Sequence, residues 1–134
     1  MGEQKKSVAG IALEDGKFFI AQRMPGGDMG EKWEFPGGKV EPGETDEAAL
    51  RREYEEEFGV PITVGRLLGH ADFEHRGIQR IVNAYAVSFQ DHNFRLSEHL
   101  AWAWASLEEI TELDFAGSDT KLLPALRRFI AEKA

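Results

Sequence analysis

Residues 38–60, GKVEPGETDEAALRREYEEEFGV, join a glycine-bearing loop to a helix that carries Glu53, Glu56 and Glu57 on one side. Thr45 is placed to cap this helix, and Asp46 and Glu47 fall in its first turn, where the positive end of the helix dipole favours acids. Gly59 and Pro61 end it. Between those limits Leu50, Tyr54 and Phe58 recur every four residues as an apolar stripe. At about 100° per residue the stripe lies a quarter turn or more from the glutamates, so the helix buries one side and presents the other. Like charges at this spacing cost only about 0.2–0.5 kcal/mol per solvated pair, and a bare acidic cluster is usually plain surface. The glycines and Arg52 standing in register with the acids point instead to a cation.

Working outward, the chain has 134 residues, 42% of them hydrophobic, with five prolines. That suits one globular domain spanning 1–134, with enough core to fold alone. The formal net charge of -8 argues against polymeric nucleic acid or an anionic membrane surface as partner, since both need clustered Lys and Arg. An acidic protein still acts on phosphates when divalent ions supply the positive charge locally. With no cysteine, disulfides, thiolate nucleophiles and Cys-ligated zinc are excluded, and a reducing cytosol is the simplest compartment. The opening MGEQKKSVAG lacks the apolar run of a signal peptide, and no segment approaches the roughly 20 apolar residues of a membrane span. A soluble, cytoplasmic protein is expected. Charge and apolar content do not distinguish a monomer from a homodimer.

Residues 8–13 and 17–22 are apolar runs flanking Glu14-Asp15-Gly16, the signature of a hairpin with an Asp-Gly turn. Residues 24–32 read as a loop, and 33–35 as a short strand ended by Pro36-Gly37-Gly38, where glycine lets the backbone approach a ligand. Residues 62–72 and 78–89 read as longer strands joined around His75-Arg76-Gly77, and 101–105 as another. Ser106 caps a short helix, SLEEI. A last helix starts near Thr120, with Leu122, Leu123, Leu126 and Ile130 on one side and Pro124 tolerable only in its first turn. Strands alternating with helices give an α/β class with a mixed sheet.

The spacing over 38–60 runs Gly38, five residues, Glu44, seven residues, Arg52-Glu53, an apolar position, one residue, Glu56-Glu57, one residue, Gly59 and an apolar residue. Seven positions filled at roughly one in ten each coincide on the order of once in 10⁷ start points, so chance is set aside. This is the Nudix box, and the chain resembles a Nudix hydrolase. EKWEFPGGKVEPGE before the helix, and SEHLAWAWASLEEI and DFAGSDTKLL after it, are similar to the subgroup of MutT-like and CTP pyrophosphohydrolase-like enzymes. The resemblance implies an α/β/α sandwich around a central mixed sheet and hydrolysis of a (deoxy)nucleoside triphosphate to monophosphate and pyrophosphate. Two alternatives remain: another nucleoside diphosphate derivative, such as a nucleotide sugar or capped RNA, and a non-catalytic nucleotide sensor. One departure is Tyr54, where the family usually has an aliphatic residue; a tyrosine packs there if its hydroxyl finds a partner.

The same resemblance implies that Glu53, Glu56 and Glu57 bind Mg²⁺ or Mn²⁺, with the Gly37 carbonyl as another oxygen ligand, a donor set suited to hard cations. Arg52 is expected to hold Glu44 or Glu56 by a bidentate pair. Glu98 is a further metal ligand or the general base, with Glu53 the rival base; a solvated loop acid is the bland reading of Glu98, and a structural role that of His99. Lys39 either contacts phosphate or an acid, or is a solvated loop lysine. Arg23 either clamps phosphate or contacts the base, or is structural. Phe35 either stacks beside the base or joins the core with Trp33. Asp119 is the specificity candidate: MutT-like enzymes acting on oxidised guanine nucleotides carry Asn at the corresponding place, and CTP pyrophosphohydrolase-like relatives carry Asp. A carboxylate accepts from an exocyclic amino group such as that of cytosine. The alternative is that Asp119, or Ser118, caps the last helix.

Overall fold

Strand β1 (Lys5–Ile11) and strand β2 (Leu13–Glu14) come from one apolar run, but Ala12 divides it between two sheets. The expected hairpin is therefore confined to β2 and β3 (Lys17–Arg23), with Leu13 opposite Phe18 and Asp15 and Gly16 both at positive φ in the turn. The computed structural model describes residues 5–133; the reading of residues 1–4 lies outside it.

After the loop come β4 (Trp33–Glu34) and β5 (Gly37–Lys39). Gly37 and Gly38 were expected to end a strand, yet they form one, antiparallel to β1 with Ala9 opposite Gly37 and Val8 opposite Gly38. A Cβ on Gly37 would stand 1.9 Å from the Val8 carbonyl oxygen, so only glycine permits this pairing. Helix α1 (Asp46–Phe58) follows, capped by Thr45, whose hydroxyl accepts from the Ala48 N–H, and closed by Gly59 at φ 68. Strands β6 (Ile62–His75) and β7 (Ile78–Phe89) form a long hairpin through Arg76 and Gly77. Strand β8 (His99–Ala105) leads into α2 (Leu107–Glu112), which opens with a reciprocal Ser106–Glu109 capping box.

The last helix is split. A single turn, α3 (Gly117–Thr120), precedes α4 (Leu123–Lys133), and Pro124 occupies the first turn of α4, where no N–H is needed. Neither Ser118 nor Asp119 caps α3; Ala116 stands at that position without a side-chain bond.

The mixed sheet runs β5-β1-β7-β6, with β1 and β7 parallel; a second, antiparallel sheet places β3 between β8 on one side and β2 and β4 on the other. Both faces are covered. Val8, Phe19 and Ala21 pack with Leu50, Tyr54 and Phe58 of α1, whereas Ala9, Ile11, Phe18 and Ile20 pack with Ile110, Leu122, Leu126 and Phe129 of the later helices. Two covered faces explain why β1 and β3 read as continuous apolar runs. Tyr54, fully buried, donates its hydroxyl to the Gly10 carbonyl at 3.1 Å, the partner its placement required.

Candidate active site

The apolar stripe of α1 anchors the helix over β1 and thereby aims its acidic side at the glycine strand. Gly38 lies against Glu53 so closely that a Cβ there would sit 2.5 Å from its carboxyl. Glu53 and Glu57 converge with Glu98, which precedes β8, and oxygens of all three lie within 4.8 Å of one another. They share a cavity of about 320 Å³ with Arg23, Glu34, Gly37 and His99.

The acids differ sharply in setting. Glu57 is buried, and its Oε2 has no hydrogen-bond partner among the described residues. Burial, then the neighbouring charges of Glu53, Glu34 and Glu98, push its carboxyl up to about 10. Burial also raises Glu53, against the pull of Arg52. Such a pocket crowds carboxyls so that Glu57 holds a proton in place of its charge, a setting in which a cation can replace that proton. The oxygen-only group of Glu53, Glu57 and Glu98, with Gly37 lining the same cavity, could hold a hard divalent cation. Glu56 stands apart: its side chain is 52% exposed, 3.5 Å from Arg52, and outside the converging group. The sequence placed three helix acids together; the structure brings in two of them and a third from the loop before β8.

Arg52 settles on Glu44. Its Nε and Nη2 donate to the two Glu44 oxygens at 2.8 and 2.9 Å, Nη1 donates to Glu53 at 2.9 Å, and Nη2 reaches the Lys39 carbonyl at 3.1 Å. That clamp holds Glu44 down at about 2 and the guanidinium firmly charged. Lys39 itself is exposed and lines neither of the two cavities described here.

A second cavity adjoins the first through Arg23, Glu34 and Gly37, and is lined further by Phe73, Val82, Ser118 and Asp119. The loop between α2 and α3 builds it: the Trp33 N–H donates to the Asp114 carbonyl and the Ala116 N–H to the Trp33 carbonyl, each at 2.9 Å. Asp119 is thereby set beside β4, where its Oδ2 accepts from the Phe35 N–H at 2.9 Å. Burial raises its carboxyl to about 7. Phe35, expected beside a base, has its ring in the core against Phe18 and Phe115, and its backbone N–H serves the pocket instead. Arg23 is half exposed at the junction of the cavities and pairs with Glu34 at 2.9 Å.

Glu34 and His99 were not singled out as site residues by sequence reasoning beyond a structural role for the histidine. Their signal is tertiary: β8 pairs with β3, and a register shift between Gln22 and Arg23 places His99, not Leu100, opposite Arg23.

The NUDIX domain profile matches residues 4–126. The chain is 40% identical over 129 residues to a CTP pyrophosphohydrolase of Escherichia coli (strain K12), covering 95% of this chain and 92% of that protein. It is 37% identical over 114 residues to an 8-oxo-dGTP diphosphatase of Proteus vulgaris, covering 84% and 88%. The solution structure of the E. coli ORF135 protein superposes with a TM-score of 0.79 at 38% identity, covering 99% of this chain and 93% of that one. With Glu53 and Glu57 of the box at one cavity beside Glu98, and similarity running nearly the whole length, the chain belongs to the Nudix hydrolase family.

Proposed function

We propose that this protein is a Mg²⁺- or Mn²⁺-dependent pyrophosphohydrolase that converts a (deoxy)nucleoside triphosphate into monophosphate and pyrophosphate. The observation that carries this reading is the adjoining pair of cavities, one lined by Glu53, Glu57 and Glu98 and the other by Asp119, joined at Arg23, Glu34 and Gly37. A phosphate chain and a base at opposite ends of one ligand match such a pair. Relatives that carry names of this activity, on a cytosine and on an oxidised guanine nucleotide, support the class.

In this reading Glu53, Glu57 and Glu98, with the Gly37 carbonyl, hold the cation, and Glu56 completes the set from the rim. The ion would screen phosphate charge and acidify the attacking water. Arg52 keeps Glu53 aimed by its Nη1 while anchored on Glu44. Glu53 or Glu98 takes the proton from water, being the two less buried acids of the group. Arg23 meets the phosphates at the junction, and Lys39 adds charge from outside. Asp119 has one oxygen committed to Phe35 and one available to accept from an exocyclic amino group.

The test is incubation with each NTP and dNTP, oxidised forms included, in Mg²⁺ with pyrophosphate as the readout. Turnover led by cytosine nucleotides supports the Asp119 assignment. Release of a sugar phosphate or a cap fragment in place of pyrophosphate moves the substrate to another nucleoside diphosphate derivative. Tight nucleotide binding without hydrolysis of any of them makes the protein a sensor.

A further inference from the structure

His99 is 6% exposed, yet its imidazole lies between acids of both cavities. Nε2 is 2.8 Å from Glu34 Oε2 and 3.6 Å from Glu57 Oε1. The ring lies flat on Phe58, with centroids 5.3 Å apart and planes 12° apart, so it cannot rotate without losing that contact. Nδ1 is buried and has no partner among the described residues. With a carboxylate at 2.8 Å, Nε2 carries the hydrogen and donates to Glu34. That tautomer leaves Nδ1 as a bare acceptor and avoids a buried N–H without a partner.

Glu34 takes the Arg23 guanidinium on its other oxygen at 2.9 Å. A row therefore runs Arg23, Glu34, His99, Glu57, from the junction with the base pocket to the acidic floor. A second cation among Glu34, Glu57 and His99 is geometrically possible but opposed by the Arg23 charge already bound to Glu34. We infer that His99 is a positioning residue: braced on Phe58, its imidazole fixes Glu34 through the Nε2–H and confines the Glu57 carboxyl at 3.6 Å by packing alone, so that nucleotide and cation are presented in register. This rests on the pyrophosphohydrolase reading. The partners that orient a metal-binding carboxylate commonly matter to metal affinity as well as to rate.

The experiment compares His99→Gln, which keeps an N–H donor, with His99→Leu, which keeps bulk and loses it, in the whole chain, with Mn²⁺ alone as the probe by electron paramagnetic resonance. In His99→Leu the Mn²⁺ dissociation constant rises and kcat falls, each roughly 10–100-fold, while KM changes less; His99→Gln recovers most of both. Equal Mn²⁺ binding by the two variants overturns the inference, as does no Mn²⁺ uptake by the unmodified protein. Should His99→Leu not fold, ¹⁵N-histidine spectra of the unmodified protein decide. A His99 Nε2–H signal that shifts on adding Mg²⁺ supports the role, and an unmoved one overturns it. Absence of triphosphate turnover by the unmodified protein would remove the functional reading, while the Mn²⁺ and imidazole readouts would still judge the positioning role.

Discussion

Glu44 and Glu57 are the same residue type at the two ends of one acidic surface, and the chain treats them in opposite ways. Glu44 receives Nε and Nη2 of Arg52 and is held at about 2; Glu57, buried between acids with an oxygen unpartnered among the described residues, is driven to about 10. Arg52 also bonds Glu53, its neighbour in the sequence, and no bond from it to Glu57 is formed among the described residues. The difference teaches that the arginine builds a scaffold on one bank and leaves the acids of the other crowded against one another. Box acids are thus of two kinds, those paired with a guanidinium of the protein and those set among other acids.

The strongest way to break that contrast is Glu57→Gln. Pyrophosphate release and Mn²⁺ uptake should vanish, while the melting temperature without metal rises by a few degrees because an unpaired buried carboxyl is gone. Calorimetry in chelator and a Mn²⁺ titration check both, and retained uptake would place the cation elsewhere. Next is Arg52→Ala, which strands Glu44 and frees Glu53; kcat should fall roughly 10–100-fold and stability by about 1–3 kcal/mol. Arg52→Lys should restore only part of either, since an ammonium cannot grip two oxygens in a plane. Steady-state kinetics and urea denaturation read the two losses.

A sharper, smaller probe is Asp119, a buried carboxyl with one partner. Its folded value near 7 lies above the ordinary 3.8, so its stabilising contribution is complete below about pH 3.8 and is lost as pH rises through about 7. Asp119→Asn keeps an acceptor for the Phe35 N–H and should flatten the stability profile across that window, while shifting base preference. The smallest effect belongs to Glu44→Gln. Glu44 is depressed from 4.5 to about 2, so what it contributes is present above about 4.5 and fades as pH falls toward 2. The variant should lose that acid limb together with part of the Arg52 anchorage, lowering stability at neutral pH and flattening the profile toward pH 2, as urea melts across that range would show.

Local rules carried the sequence reading far. Thr45, Gly59 and the Leu50/Tyr54/Phe58 stripe lie within one helix, where caps and periodicity act over a few residues, and all three behave as read. The Asp15-Gly16 turn and the long β6–β7 hairpin are local in the same way. Legibility fails where partners are distant. The transfer of the chain from one sheet to the other at Ala12, the glycine strand β5 and the meeting of Asp119 with Phe35 across 84 positions all depend on packing that no window of neighbours contains. Glu34 and His99 were hidden for the same reason, and the exposure of Glu56 was not legible because periodicity gives direction around a helix, not depth beneath a surface.

The Tyr54 hydroxyl resting on the Gly10 carbonyl has an evolutionary corollary. A Cβ at position 10 would stand 2.5 Å from that hydroxyl oxygen, closer than a Cβ tolerates unless the ring moves. A lineage that acquires alanine at 10 must first, or at once, trim the tyrosine, and one that keeps the tyrosine forfeits every other choice at 10. The two sites drift as a couple or not at all.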